Sequence, residues 1–287
     1  MILNRGSGTA TDAVRLRQAF RDAGLDVAIS ELSPGEDPRE LARRALQERP
    51  PILVAAGGDG TMNAVADAVR ATETALGVVP VGTLNHFARD LGIPLDPAAA
   101  ARAIAGGRTT LVDVGEVNGG CFLNNASLGL YPGIVRERER QRRRLRRSKR
   151  AAMLWATLAV LDRPPLLELG LELDGRVREC RAPFVFVGNN DYQLEGFDIG
   201  KRARLDAGML NVYTTRSCSA GGLIALALRA IFGRLRQAED FLESSARSLH
   251  VESRRPRLLV ATDGEVRAMQ TPLEFRIRPR SLKVLVP

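Results

Sequence analysis

The sequence predicts an α/β plus β architecture: an N-terminal α/β domain with a parallel sheet, then an antiparallel β-rich domain. Three observations carry it. Up to about Val112, short apolar runs alternate with amphipathic ones, the texture of a parallel sheet covered by helices. Beyond Val112 the segments become short, frequent and β-rich, broken by turn signals. A chain of 287 residues also exceeds the usual size of one domain, and its 45% apolar content can fill two cores. The domains are placed at 1–112 and 113–287, with the last residues free to return to the first.

In the first domain Ile2-Leu3 opens a strand. A helix is expected over 11–23 with Val14, Leu16 and Phe20 inward, and a strand over 27–29. The helix over 38–47 starts at Pro38, whose missing N–H would be unpaired there in any case. Strands over 52–56 and 77–81 flank a helix over 61–70 that places Met62, Val65, Ala66 and Val69 on one face. In the second domain, 166–173 and 177–181 read as a hairpin through Asp174-Gly175. Further strands are expected over 184–187, 209–213, 258–262, 273–277 and 282–286. Helical insertions run from 136 to 161 and over 221–232.

Composition excludes several classes. The longest apolar stretches, 153–161 and 223–228, fall well short of the roughly 18 residues needed to cross a bilayer. Met1 to Gly6 offers no secretory signal, so a cytoplasmic protein is expected. Cys121, Cys180 and Cys218 are far apart and form no CxxC pair, which argues for packing in a reducing compartment and against a disulfide framework or zinc site. Trp155, in the apolar stretch, is expected to pack in a core, and His250 has no partner pattern. The net charge of +9 is concentrated: Arg136 to Arg150 holds nine Arg and one Lys against two Glu, a net +8. That block reads either as a solvated face or as a docking element for an anionic partner. A membrane surface fits it, at about 1 kcal/mol per basic residue. Nucleic acid is not expected, because the block carries no aromatic residue for stacking.

The chemistry concentrates in Gly57-Gly58-Asp59-Gly60-Thr61, where a buried strand runs through glycines into a helix N-terminus. Glycines let the backbone approach a phosphate, and the helix dipole adds favourable potential. A carboxylate there repels phosphate unless it holds Mg²⁺ or takes a proton, so Asp59 points to phosphoryl transfer. The next strand leads into Gly82-Thr83-Leu84-Asn85-His86, and adjacent parallel strands deliver both loops to one crevice. There is no Walker A pattern.

Taken together these motifs resemble the diacylglycerol kinase catalytic family of bacterial lipid kinases and sphingosine kinases, distantly similar to phosphofructokinases and NAD kinases. Asn4-Arg5-Gly6-Ser7-Gly8 resembles its opening loop, Asn124 to Gly129 its interdomain strand, Gly188-Asn189 its mid-domain turn, and Asp263-Gly264-Glu265 its Asp-Gly-Glu motif. The resemblance implies a phosphofructokinase-like domain and a β-sandwich with the site in the cleft between them, acting on ATP, Mg²⁺ and a lipid hydroxyl. It implies Asp263 as general base, Asp59 as metal and phosphate carboxylate or alternative base, and Glu265 as metal or water partner. Nucleotide contacts are expected from Asn4, Ser7, Gly57, Gly58, Gly60, Thr61, Asn63, Gly82, Thr83 and Asn85. Asp59 and Asp263 are expected to face solvent without supporting the fold. Two positions depart from the pattern: His86 stands where the family commonly has Asp, and Ala207 precedes Gly208 where an Asp is expected. The competing readings are an NAD kinase, disfavoured by the lack of a Ser-Thr-Pro-Thr-Gly-like segment, and a nucleotide-binding membrane-associated regulator that has lost catalysis. The Arg136 to Arg150 block implies peripheral association with the inner face of the membrane, and a homodimer is allowed for.

Overall fold

A computed structural model of the chain describes residues 1–6, 12–145, 155–156, 159, 165–193, 201–215, 219–231 and 240–287. Four strands, β1 (Ile2–Leu3), β2 (Ser30–Glu31), β3 (Ile52–Gly57) and β4 (Ala75–Pro80), run parallel in the order β2-β1-β3-β4. Helices α1 (Ala13–Asp22), α2 (Pro38–Leu46), α3 (Asp59–Val69), α4 (His86–Asp90) and α5 (Pro97–Ala105) connect or follow them. Their starts follow local chemistry. Asp12, Asp37 and Asp96 cap α1, α2 and α5 with side-chain oxygens, and proline opens α2 and α5. Leu16 and Phe20 of α1 are buried as expected, but Val14 is 71% exposed, because it falls one residue outside that apolar stripe. The strand expected over 27–29 pairs instead at Ser30–Glu31, matching a partner only two residues long.

The second half contributes β5 (Thr109–Val117), β6 (Gly120–Phe122), β7 (Asn125–Gly129), α6 (Leu130–Leu145), β8 (Leu167–Leu173), β9 (Arg176–Ala182) and β10 (Phe184–Asn189). Then come β11 (Tyr192–Gln193), β12 (Lys201–Arg202), β13 (Leu210–Thr215), α7 (Ala220–Ile231), β14 (Phe241–Ala246), β15 (Ser248–Ser253), β16 (Arg257–Thr262), β17 (Glu265–Gln270) and β18 (Leu273–Leu285). One antiparallel sheet has the order β14-β13-β10-β7-β16-β17. It faces the β18-β15-β8-β9 half of the larger sheet across a core that includes Leu128, Val187 and Val212 on one side and Leu171, Val251 and Phe275 on the other. In β8 the leucines at 167, 169, 171 and 173 are buried and Glu168 and Glu172 exposed, the alternation of a strand with one wet face.

β18 joins the two halves. Its first residues pair with β15 and its Val284 pairs in parallel with Leu76 of β4, so Leu282, Val284 and Leu285 pack in the N-terminal core. The two strands expected over 273–277 and 282–286 are therefore one, irregular between Arg278 and Leu282. Gly188-Asn189 is not a turn but the end of β10; the chain reverses at Asn190, whose φ is 67°. Trp155, expected in a core, is 51% exposed. Ser7, residues 146–150 and most of 151–161 lie outside the described residues.

Candidate active site

β3 and β4 pair with Gly57 opposite Pro80, so the loops after them leave the sheet at one edge. A Cβ on Gly82 would lie 2.4 Å from the Gly58 Cα, so the two loops meet backbone to backbone only because this position has no side chain. Asn85, in the left-handed region at φ 54°, closes its loop: its Oδ1 accepts from Gly82 N at 3.0 Å and its Nδ2 donates to Gly82 O at 2.9 Å. Gly58 is the N-cap of α3 and brings no capping side chain, which leaves the positive end of that helix without one. Among the described residues Asp59, first in the helix, accepts only a long 3.4 Å hydrogen bond from Phe87 N.

The polar residues expected to touch nucleotide mostly brace these loops. Asn4 Nδ2 donates to Thr61 Oγ1 at 2.9 Å, and Thr61 is buried. Asn63 donates to Cys121 O at 3.0 Å and to the Asp263 carboxylate. Thr83 and His86 are the exposed side chains of the second loop's expected set.

Asp263 and Gly264 form the two-residue turn between β16 and β17, with φ of 47° and 87°, the positive values a type I′ hairpin requires. The turn residue also carries a structural load. Asp263 Oδ1 accepts from Asn124 N at 2.8 Å and Asn125 N at 3.1 Å; Oδ2 accepts from Leu123 N at 2.7 Å and from Asn63 Nδ2. These four donors match the lone-pair capacity of a carboxylate. The sequence-based expectation that Asp263 faces solvent without supporting the fold is thus corrected: it is the clasp that holds the hairpin to residues 123–125 and to α3. Burial pushes its carboxyl above the usual aspartate value, while the donors from Leu123, Asn63, Asn124 and Asn125 pull it back down.

Asp59, His86 and Asp263 share one cavity of about 460 Å³. Its remaining walls are largely apolar, with Leu130, Tyr131, Phe184, Phe186, Tyr213 and Phe241 among them. A wider groove of about 810 Å³ lies against β8 and β9, but it is lined by charges of both signs and is remote from the glycine loops in sequence and sheet order. Glu265 lines a separate recess of about 40 Å³ beside Gly60 and Asn63 and accepts from Arg267 at 3.0 Å. Among the described residues no three His, Cys, Asp or Glu side chains converge as a metal cage. That donor set still fits Mg²⁺, which keeps several waters and takes one or two carboxylates together with substrate phosphates.

One group was invisible in the sequence. Arg202, its side chain 0% exposed, donates to Asp90 Oδ2 at 2.8 Å, Leu123 O at 2.6 Å, Asn189 O at 3.2 Å and Asn124 Oδ1 at 2.9 Å. It also lies over the ring of Tyr192, whose phenol burial pushes up to about 12. The strap 123–125 is therefore held from two sides, its N–H groups by Asp263 and its oxygens by Arg202. At Ala207, the other departure from the family pattern, the backbone N donates to Asn190 Oδ1 at 3.0 Å, and the neighbouring Gly208 N donates to the buried Asp113 carboxylate at 2.6 Å.

Residues 1–117 match the family described as diacylglycerol kinase catalytic domain, and residues 131–286 match the YegS C-terminal NAD kinase beta sandwich-like domain. A Pseudomonas aeruginosa protein named "Probable lipid kinase YegS-like" is 39% identical over 132 residues, 45% of this chain and 43% of that protein. A Staphylococcus aureus protein named diacylglycerol kinase is 29% identical over 252 residues, 86% of this chain and 78% of the other. A crystal structure of a diacylglycerol kinase from Bacillus anthracis covers 100% of this chain and 95% of its own when the two folds are superposed, with a TM-score of 0.71 at 22% identity.

Proposed function

The chain belongs to the diacylglycerol kinase catalytic family, and from that premise we propose that it transfers the γ-phosphate of ATP to a hydroxyl of a diacylglycerol-like or sphingoid lipid. One observation carries the reading: two glycine loops that meet at a helix N-terminus open onto a cavity whose walls are aromatic and whose carboxylates are Asp59 and Asp263. Loops of that kind suit phosphate, and walls of that kind suit acyl chains.

The contacts support the following roles. The backbone of Gly57, Gly58, Gly60 and Gly82, with Thr83, lies where the nucleotide phosphates would bind, while Asn4, Thr61, Asn63 and Asn85 hold that backbone in shape. Ser7 is assigned to the nucleotide by resemblance alone. Asp59, with acceptor capacity free, would hold Mg²⁺ against the phosphates, and Glu265 would join it through water. Bound Mg²⁺ supplies neutralisation of charge on the transferred group. Asp263 is assigned as the base that accepts the lipid hydroxyl's proton, a contribution typically worth 10² to 10⁴ in rate. Its raised pKa suits that task, and its clasp fixes its direction. Accepting the proton requires the Asn63 contact to yield.

Purified protein with labelled ATP, Mg²⁺ and a panel of lipid hydroxyls, with NAD alongside, tests the reading. Label in a lipid phosphate is the expected result. Label in NADP instead, or in no acceptor, overturns it. Among the described residues no helix is long and apolar enough to cross a membrane. Delivery to the inner leaflet is assigned to the basic run of α6.

A further inference from the structure

The aromatic cavity contains a polar atom without a partner. Ser127 is 5% exposed, and its Oγ is buried and makes no hydrogen bond among the described residues. It lies on β7, whose Ala126 and Leu128 point into the sandwich core, so Asn125 and Ser127 line the cavity on the opposite face. Its cross-strand neighbours are Phe186 on β10 and Ala261 on β16, neither with a side chain that can hydrogen-bond. Of the two tyrosines in the aromatic walls, Tyr213 has its hydroxyl already engaged with Asp191 at 3.0 Å and with the backbone of Tyr192, while Tyr131 is 43% exposed at the start of α6. A buried hydroxyl left unpaired destabilises the empty protein, and a ligand group that pairs with it recovers that loss.

We infer that the Ser127 hydroxyl donates a hydrogen bond to an ester carbonyl of the lipid, so that this residue makes the site select acyl-ester lipids over their ether-linked counterparts. The inference rests on the lipid-kinase reading and deepens it. Position supports the carbonyl. Asn125 N donates to Asp263, the assigned base, and Ser127 sits two residues further along the same strand, about 7 Å away. The free hydroxyl of a glycerolipid and the carbonyl of its ester are separated by a comparable span. An ether-linked chain offers no carbonyl at that depth and would leave Ser127 unpaired.

The test uses the full-length enzyme, ATP and Mg²⁺ with a diacylglycerol and a dialkyl ether glycerol of equal chain length in detergent micelles. The wild type should prefer the ester in kcat/KM, and Ser127→Ala should reduce that preference roughly tenfold. The Ser127→Ala protein without lipid should melt at or above the wild-type temperature, because an unsatisfied group has been removed. An ester preference that survives the substitution whole, or a clear fall in melting temperature, overturns the assignment while the kinase reading stands. A wild type that phosphorylates neither lipid overturns the kinase reading and the Ser127 inference with it.

Discussion

Asp263 is asked to do two things at once, and the two are separable. As a structural clasp it accepts four hydrogen bonds, all from nitrogen donors. Asp263→Asn would set an amide N–H₂ against those donors and should cost roughly 2–4 kcal/mol of stability along with most of the transfer. Asp59 has no such load, its one hydrogen bond being long. Asp59→Asn should therefore lose most of the turnover with a melting temperature close to wild type. Melts and kinetics on the pair check this; equal melting temperatures would remove the clasp. The pH profile identifies the base. Because burial raises the Asp263 pKa, the acid limb of kcat/KM should lie above the ordinary aspartate value of about 3.9. Stability runs the other way: the folded state takes up this proton first, so the group's contribution is present below the unfolded pKa and is lost as pH rises through the folded one. A limb at or below pH 4 would reassign the base.

At the scale of elements, Arg202 couples pieces that are distant in sequence. β12 delivers it to α4 through Asp90, to the strap 123–125 through Leu123 O and Asn124, and to the end of β10 through Asn189 O. Since α4 begins at His86 and the strap holds Asp263, this one guanidinium sets the second glycine-loop helix against the assigned base. Removing one partner of a buried ion pair leaves an uncompensated charge and typically costs about 3–5 kcal/mol. Arg202→Met should destabilise by that order, and Asp90→Asn should recover part of it. A double-mutant cycle between the two should give a coupling of at least about 1 kcal/mol, and a coupling near zero would show that Arg202 acts alone. Nothing in the sequence marks this pair, because its members lie 112 residues apart and neither follows a period. The glycine loops were legible for the opposite reason: strand, turn and helix start are contiguous, so spacing alone reports them. Asp263 was legible as a turn but not as a clasp, since its donors come from Leu123, 140 positions earlier, with its two neighbours, and from Asn63, 200 positions earlier. The aromatic wall had only a faint signal, the alternation of Phe184 and Phe186 along β10.

Across the whole molecule, β18 threads both cores and β7 leads from the strap into α6, so the active cavity and the basic run share one continuous piece of chain. Leu130 and Tyr131, the first residues of α6, line the cavity, and the Tyr131 hydroxyl lies 3.8 Å from where a Cβ of Gly264 would stand. Val135 anchors the helix in the protein, while Arg136 and Arg140 further along are exposed. A charge of +8 between Arg136 and Arg150 cannot be buried without prohibitive desolvation, so it must meet solvent or an anionic surface. The described start of the basic run, at Arg136, therefore follows on the same helix whose first residues line the cavity. Attraction to anionic headgroups should fall steeply with salt, since the Debye length shrinks from about 10 Å at 0.1 M to about 3 Å at 1 M. Replacing Arg142, Arg143, Arg144, Arg146 and Arg147 by Gln should weaken binding to anionic vesicles and reduce turnover of lipid embedded in them. Turnover of a short-chain lipid free in solution should persist, because it is Leu130 and Tyr131, ahead of the basic run, that line the cavity on this helix. Equal loss on both substrates would instead make the run part of the cavity's own architecture, and no loss on either would reduce it to a solvated face.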